Sequence, residues 1–371
     1  MTFVRTADSF RQGARTMPGR YYTAPEVFAL EQERVFARHW IAVGRSADVA
    51  RPGDFRQVHV GGESLLLVRG QDGEPRAFYN ICRHRGTRLC SEAQGHRSET
   101  IQCPYHAWTY ALDGRLIGAP HMNEVAGFDK REYPLRGVAL GEWEGFLFVN
   151  LAQDPEPFAE AFAPMIGRLA RYSLPELVTV RRREYEVQAN WKLILQNYSE
   201  CLHCPTIHPA LIRKLPYLSG ANDLVEGRFL GGYMEIASPH ASATISGARC
   251  GLPLGSLPAD DLQRAYYYTL FPAMMLSLHP DYAVFYVVLP VSARASRVVC
   301  EWLVNPASPN SPGYNIADAE EFWDRTNRED WHICEESQAG VSSRAYQPGP
   351  YSPRESIPAA WDREYLRAME A

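Results

Sequence analysis

The feature that most constrains this chain is the pairing of cysteine with histidine in residues 82–108, CRHRGTRLCSEAQGHRSETIQCPYHAW. Cys82-x-His84 and Cys103-x2-His106 each place one thiol and one imidazole on a short segment. Gly86 permits a tight turn in the first segment, and Pro104 stiffens the second. Strand and turn signals surround both. FRQVHV-GG-ESLLLVRG reads as a hairpin with a Gly-Gly turn, AWTYALDGRLIG as another turning at Asp113-Gly114, and WEGFLFVNL as a further apolar strand. The mixed pairs fall where these strands give way to loops. Eight cysteines in 371 residues do not resemble a disulfide scaffold, which turns attention to metals and a reducing compartment.

A zinc finger groups its ligands as Cys with Cys and His with His, whereas here each pair is mixed. Mixed pairs on two loops let two thiolates meet on one iron and two imidazoles on another, the ligand set of a Rieske [2Fe–2S] centre. A structural zinc site is the plain alternative, and Cys90, between the pairs, reads as a loop or core cysteine. CRHRGTRL followed by CPYHAWTYALDG resembles the signature of the Rieske non-haem iron oxygenases, large (α) subunit. One departure is Ala107, where many members have Gly; since it is no ligand, little should follow from it.

A Rieske centre only carries electrons, so an oxygenase needs a second metal with open positions, typically two histidines and a carboxylate on one face of Fe(II). NWKLILQNYSECLHCPTIHPAL supplies Glu200, His203 and His208, with Asn197 one turn earlier. Glu200 and His203 share a helical face. His203 and His208, five apart, do not, and Pro205 is expected to break the helix at Cys204 so that His208 swings back. Cys201-x2-Cys204 with a histidine, as zinc site or redox pair, competes for the same residues. The stretch resembles the family's mononuclear iron motif, Asn190-Trp191-Lys192 lead-in included. The third ligand is expected from the helix EFWDRTNREDWHICEESQAG, which stops near Gly340. Asp330 shares a face there with Trp323, Asn327 and Cys334, where a lone carboxylate needs a partner. Asp324, Arg328 and Glu335 read as a solvated set, Glu329 as pointing elsewhere, and His332 as structural, with a supporting contact to a metal ligand as its alternative. NREDW resembles the family pattern and also favours Asp330.

The resemblance implies more than the residues do alone. It makes Glu200 the bridge carrying electrons from a Rieske histidine of one subunit, His106 by the family's habit rather than His84, to the iron of its neighbour; hence a homotrimer. The plain alternative for Glu200 is an N-terminal helix charge or a surface salt bridge. It also implies a terminal oxygenase using O2 and electrons from NAD(P)H through a separate flavin or ferredoxin reductase, since the chain has no nicotinamide or flavin motif.

The expected fold class is α+β. Residues 1–37 form an N-terminal segment on the catalytic domain, 38–150 a small antiparallel β Rieske domain, and 151–371 a helix-covered antiparallel sheet holding the iron. PFAEAFAPMIGRLARYSL has helical spacing. Net charge is −5 with no basic stripe for nucleic acid, and no apolar run reaches the roughly 20 residues of a membrane span. The N-terminus lacks a hydrophobic signal core, so the cytoplasm is expected, with an organelle transit segment as alternative.

For the substrate, RAYYYTLFPAMMLSLHPDYAVFYVVLP offers two strands with Tyr266 and Tyr268 on one face and Tyr282 and Tyr286 on another. With His279 these are the expected pocket residues, and Met274 and Met275 are core. Converging aromatics can enclose a quaternary ammonium, stack on a ring, or simply pack. PYHAWTYALDGRLIGAPHM and the ending NREDWHICEESQAGVSSRAYQPGPYSPRES resemble the branch acting on glycine betaine, choline, carnitine and stachydrine. That resemblance implies oxidation of a carbon next to nitrogen, often N-demethylation. Ring hydroxylation by the same metals is the alternative, and electron transfer or zinc binding without oxygenase chemistry is the reading from another class.

Overall fold

The computed structural model describes residues 2–370. It divides into two compact units, Phe36–Phe162 and the described residues on either side of it.

In the first unit a seven-stranded antiparallel sheet runs, in spatial order, Ile41–Arg45, Phe146–Asn150, Gly137–Trp143, Pro75–Tyr79, Glu63–Arg69, Asp54–Val60 and Gln94–His96. A second sheet joins Thr100–Gln102, Thr109–Ala111 and Leu116–Gly118. The Asp54–Val60 and Glu63–Arg69 strands pair up to Val60↔Glu63 around Gly61 and Gly62, both at positive φ, as a two-residue turn of that hand requires. Phe55, Leu66, Phe78, Trp108, Tyr110 and Leu135 form a core closed over Cys82, Cys90 and Cys103.

The second unit is built on an eight-stranded antiparallel sheet ordered Val4–Arg5, Ala221–Leu224, Phe229–Glu235, Arg264–Leu270, Met274–Leu278, Tyr282–Ser292, Ala295–Val304 and Val178–Val187. Helices cover it. The longest, Ile316–Val341, buries Ile316, Ala319, Phe322, Trp323, Asn327, Trp331, Cys334 and Gln338, the three-and-four spacing of one helical face. It packs along Val178–Val187 and beside the helix Trp191–Tyr198.

Four expectations change. The segment PFAEAFAPMIGRLARYSL holds only the turn Phe158–Ala161 and a 3-10 turn at Ala170–Tyr172, because Pro164 has no N–H to give and Gly167 sits at φ +72. The two expected pocket strands are three, since Met274–Leu278 pairs on both sides. The break before His208 comes earlier than Cys204: the first helix ends at Tyr198, and Pro205 lies in the first turn of a new one, Cys204–Ile207, where a missing N–H is tolerated. The helix Ser356–Glu370 has no counterpart in the sequence reading; its apolar face buries Ile357, Trp361 and Tyr365.

That last helix also carries Asp362, which accepts from Gln196 Nε2 (2.5 Å) and Tyr351 Oη (2.8 Å). Burial pushes its carboxyl up to about 7, against the pull of those donors and of Lys192. A raised carboxyl stabilises fully below its unfolded value near 3.9, and the contribution is lost as pH rises through about 7. Asp362→Asn should therefore gain stability relative to the parent protein between pH 5 and pH 8, measured by urea denaturation at both; a constant difference would contradict the assignment.

Candidate metal centres and active site

In the first unit the two loops that carry the Cys–His pairs close in the same way. Gly86 N–H donates to Cys82 O (3.0 Å) and Ala107 N–H to Cys103 O (3.1 Å), and both closing residues are left-handed, at φ +73 and +55. The two sulfurs are buried. His84 and His106 stand at the outer edge with ring centroids 4.8 Å apart, His84 stacked on Trp108 at 4.9 Å. Tyr110 Oη accepts from Arg83 N–H (3.0 Å) and lies 3.3 Å from Cys82 Sγ, to which it can donate. Burial raises the Cys82 thiol, the Tyr110 contact opposes this, and Cys103 beside it raises it further. Thiols inside and imidazoles outside fit a two-iron cluster with one sulfur-bound and one nitrogen-bound iron. Cys90 is buried in the same core cluster as Cys82 and Cys103.

The left-handed Ala107 corrects the sequence reading. A Cβ at φ +55 is strained whether or not the residue is a ligand. Ala107→Gly should stabilise the loop by about 1 kcal/mol, visible as a higher temperature for bleaching of the cluster's visible absorption.

In the second unit Asn190 starts the helix Trp191–Tyr198: its side chain accepts from Lys192 N–H (3.0 Å) and its Nδ2 donates to Ala293 O (2.8 Å). The chain leaves this helix at Ser199 and turns on Glu200, which accepts from the backbone N–H of Leu202 and of His203 (3.3 Å). Its other oxygen meets His203 Nδ1 at 2.6 Å. His203 Nε2 and His208 Nε2 approach one oxygen, Asp330 Oδ1, at 3.3 and 2.8 Å. Candidate ligand atoms of these three residues all lie within 4.8 Å of one another. Two nitrogens and a carboxylate oxygen converging from two segments suit one divalent cation with positions left open. Burial disfavours a charged His203, but Asp330 and Glu200 outweigh it and raise the imidazole to about 10. In turn the two imidazoles hold Asp330 below the usual carboxylate range despite its burial. Glu329, expected to point elsewhere, instead meets His208 Nδ1 at 2.7 Å. Cys201 and Cys204 are joined as a disulfide, so a two-thiolate zinc site is not what the fold presents. His332 is exposed, and Asp324 binds Arg328 and Arg183 as part of a surface charge set.

His203, His208 and Asp330 open into a cavity holding about 140 Å³, which Asn197 and Glu200 also line. Its wall includes the rings of Tyr198, Tyr267 and Trp323, with centroid separations of 6.2 Å (Tyr198–Tyr267) and 6.4 Å (Tyr267–Trp323). Tyr217 and Tyr233 add two more rings, and Arg354 is its one Lys or Arg among the described residues.

None of the tyrosines expected in the pocket lines this cavity. Tyr266 and Tyr268 point to the other face of their strand and bond Asp261 (2.6 Å) and Asp223 (3.2 Å). Tyr282 and His279 stand behind the wall: Trp323 Nε1 donates to Tyr282 Oη (2.7 Å), and His279 stacks on Tyr282 at 4.3 Å. Burial drives His279 down to about 3, so it is neutral. Tyr286 backs Tyr198 at 6.0 Å. Met274 and Met275 are buried in the sheet, as expected.

Residues 39–129 match the Rieske [2Fe-2S] domain and residues 174–371 the ring hydroxylating alpha subunit (catalytic domain). The chain is 33% identical to the glycine betaine monooxygenase oxygenase subunit of Chromohalobacter salexigens, over 94% of this chain and 84% of that protein. It superposes on the quaternary ammonium Rieske monooxygenase CntA in complex with L-carnitine with a TM-score of 0.78 at 26% identity, covering 98% of this chain and 97% of the other. Naphthalene 1,2-dioxygenase from Rhodococcus shares the fold at 19% identity and a TM-score of 0.78, covering 95% and 94%.

Proposed function

The chain belongs to the Rieske non-haem iron oxygenases, as their oxygenase (α) subunit, and from that premise we propose that it oxidises a carbon attached to the nitrogen of a betaine-like quaternary amine. The family's [2Fe–2S] cluster and mononuclear iron supply the electrons and the activation of O2. In the proposed assignment Cys82, His84, Cys103 and His106 hold the cluster, and His203, His208 and Asp330 hold the iron. A reductase is the partner that an oxygenase subunit requires. Glu200 as the bridge between subunits, a homotrimer, and a cytoplasmic location complete the proposal. Among the described residues no helix is long and apolar enough to cross a membrane.

The observation that carries the amine reading is the cavity wall. Tyr198, Tyr217, Tyr233, Tyr267 and Trp323 line the cavity together with the carboxylates of Glu200 and Asp330. Such a wall attracts a permanent cation that cannot hydrogen-bond, by about 0.5–2 kcal/mol for each well-placed ring. Arg354 is exposed and makes no side-chain hydrogen bond or ion pair among the described residues, so its guanidinium is free for a carboxylate. A betaine carries both charges.

The chain's own residues bind, orient and dry the substrate. In the reaction one N-methyl C–H bond of the quaternary amine breaks and a C–O bond forms in its place. O2 takes up two electrons from the reductase and two protons, so that one oxygen atom enters the product as a hydroxyl and the other leaves as water. The carbinolamine then breaks its C–N bond to give a tertiary amine, formaldehyde and a proton.

The test is a single turnover. Reduced, iron-replete protein is mixed with O2 and a panel of betaines, carnitine, choline and aromatic acids, and products are identified by mass spectrometry. An amine cleaved or hydroxylated next to nitrogen is the expected product; a hydroxylated ring with no amine product refutes the reading. Arg354→Met should weaken carboxylated betaines by about 5–10-fold in KM and leave choline unchanged, the effect of one charge-assisted contact at a partly exposed site.

A further inference from the structure

We propose that Glu329 is a positioning residue for the mononuclear iron, holding the His208 ring so that Nε2 faces the metal. The inference rests on the reading of His203, His208 and Asp330 as ligands.

His208 is gripped on both nitrogens by consecutive residues of one helix. Glu329 Oε2 lies 2.7 Å from Nδ1, and Asp330 Oδ1 lies 2.8 Å from Nε2. A carboxylate can only accept, so the Glu329 contact requires a proton on Nδ1. Asp330 Oδ1 makes the same demand of Nε2 in this structure; a cation arriving between Asp330 and the ring takes the place of that proton, while Glu329 keeps Nδ1 protonated. His208 is 1% exposed and Glu329 34% exposed by side chain, so the carboxylate stands between the buried ring and solvent. His203 receives the equivalent contact at Nδ1, 2.6 Å, from Glu200. The two rings thus have separate outer carboxylates, one from the loop that carries the histidines and one from the helix that carries the third ligand. Glu200 is already committed to backbone N–H groups of its own turn and to His203. It therefore cannot substitute for Glu329, and among the described residues His208 has no second orienting group of its own. Outer carboxylates of this kind fix tautomer and ring angle, and their loss commonly weakens metal binding 10–100-fold.

The experiment uses full-length protein with its cluster intact, stripped of mononuclear metal. It is titrated anaerobically with Fe(II) against a chromophoric chelator, and in parallel with Co(II), whose visible bands report ligand geometry. Glu329→Ala should bind Fe(II) about 10–100-fold more weakly and alter the Co(II) bands. Glu329→Gln keeps an acceptor oxygen and should recover affinity to within about 3-fold, with parental Co(II) bands. Cluster absorption and thermal denaturation check that each variant is folded; if the alanine variant is not, the glutamine variant decides alone. Parental affinity and bands in Glu329→Ala overturn the proposal, and so does a glutamine variant with affinity reduced 10-fold or more. Failure of the iron reading itself looks different: the parent protein would bind no Fe(II) in excess of the cluster, or Asp330→Ala would bind it as well as the parent.

Discussion

Glu31→Ala should cost about 3–5 kcal/mol of stability, the largest loss expected from any single side chain far from the metals. Glu31 is fully buried, and three donors converge on it: Lys192 Nζ, Trp191 Nε1 at 2.9 Å and Tyr365 Oη at 2.6 Å. Lys192 is equally buried, and the rings of Trp191 and Tyr365 lie about its ammonium at 5.1 and 5.0 Å. Burial lowers Lys192 to about 8, with Glu31 as the main opposing influence. Removing the carboxylate strands an ammonium in the interior together with an indole N–H and a phenol, and each unmet donor adds its own desolvation cost. The pair is a lock of the N-terminal segment on the helix Trp191–Tyr198, which leads to Glu200, His203 and His208. Denaturation in urea measures the loss. The double variant Glu31→Gln, Lys192→Met should recover most of it, because the interior then holds no unpaired charge. A single variant within 1 kcal/mol of the parent would show that the pair is solvated in solution.

Asp330→Ala carries the largest functional loss. Both imidazoles aim Nε2 at this one carboxylate, which is the acidic member of the convergent set. Loss of a direct ligand must exceed the 10–100-fold typical of an outer residue, so Fe(II) affinity should fall more than about 100-fold and single-turnover product with it. The cluster's visible absorption should stay unchanged, since its four expected ligands are on the other unit. Full activity in this variant would move the third ligand to another carboxylate, Glu329 first.

How much of this was legible in the sequence follows from how locally each feature is encoded. The Cys–His pairs are legible because their ligands lie a few residues apart on loops whose turns are set by Gly86 and Pro104. The long helix declares its own face by spacing, which is why Asp330 could be set beside Trp323 and Asn327. Chain direction was harder. Pro205 signals a break near His208, but the helix had already ended at Tyr198, and Pro205 opens the next turn. Left-handed Ala107 shows why a non-ligand position still matters; only the backbone angle reveals it.

The pocket tyrosines show the limit most plainly. Alternation in RAYYYTL states that Tyr266 and Tyr268 share one face and Tyr267 the other. It does not state which face meets the iron, because that depends on where the covering helices lie. The fold chose Tyr267, turned Tyr266 and Tyr268 onto buried carboxylates, and set Tyr282 and His279 behind Trp323 as its support. Glu329 is similar: one residue along a helix is a turn of about 100°, so sequence alone sends it away from the site, yet His208 is large enough to be reached from both positions. The sequence by itself pointed to the metal chemistry, because each Cys–His pair and the Glu200–His203–His208 run lie on short segments held together by the covalent chain, while Asp330, 122 residues from His208, was singled out by the face of its own helix. Which ring, carboxylate or guanidinium faces the substrate was decided by tertiary structure alone, because those groups come from strands and helices far apart in sequence and meet only when the sheet is covered.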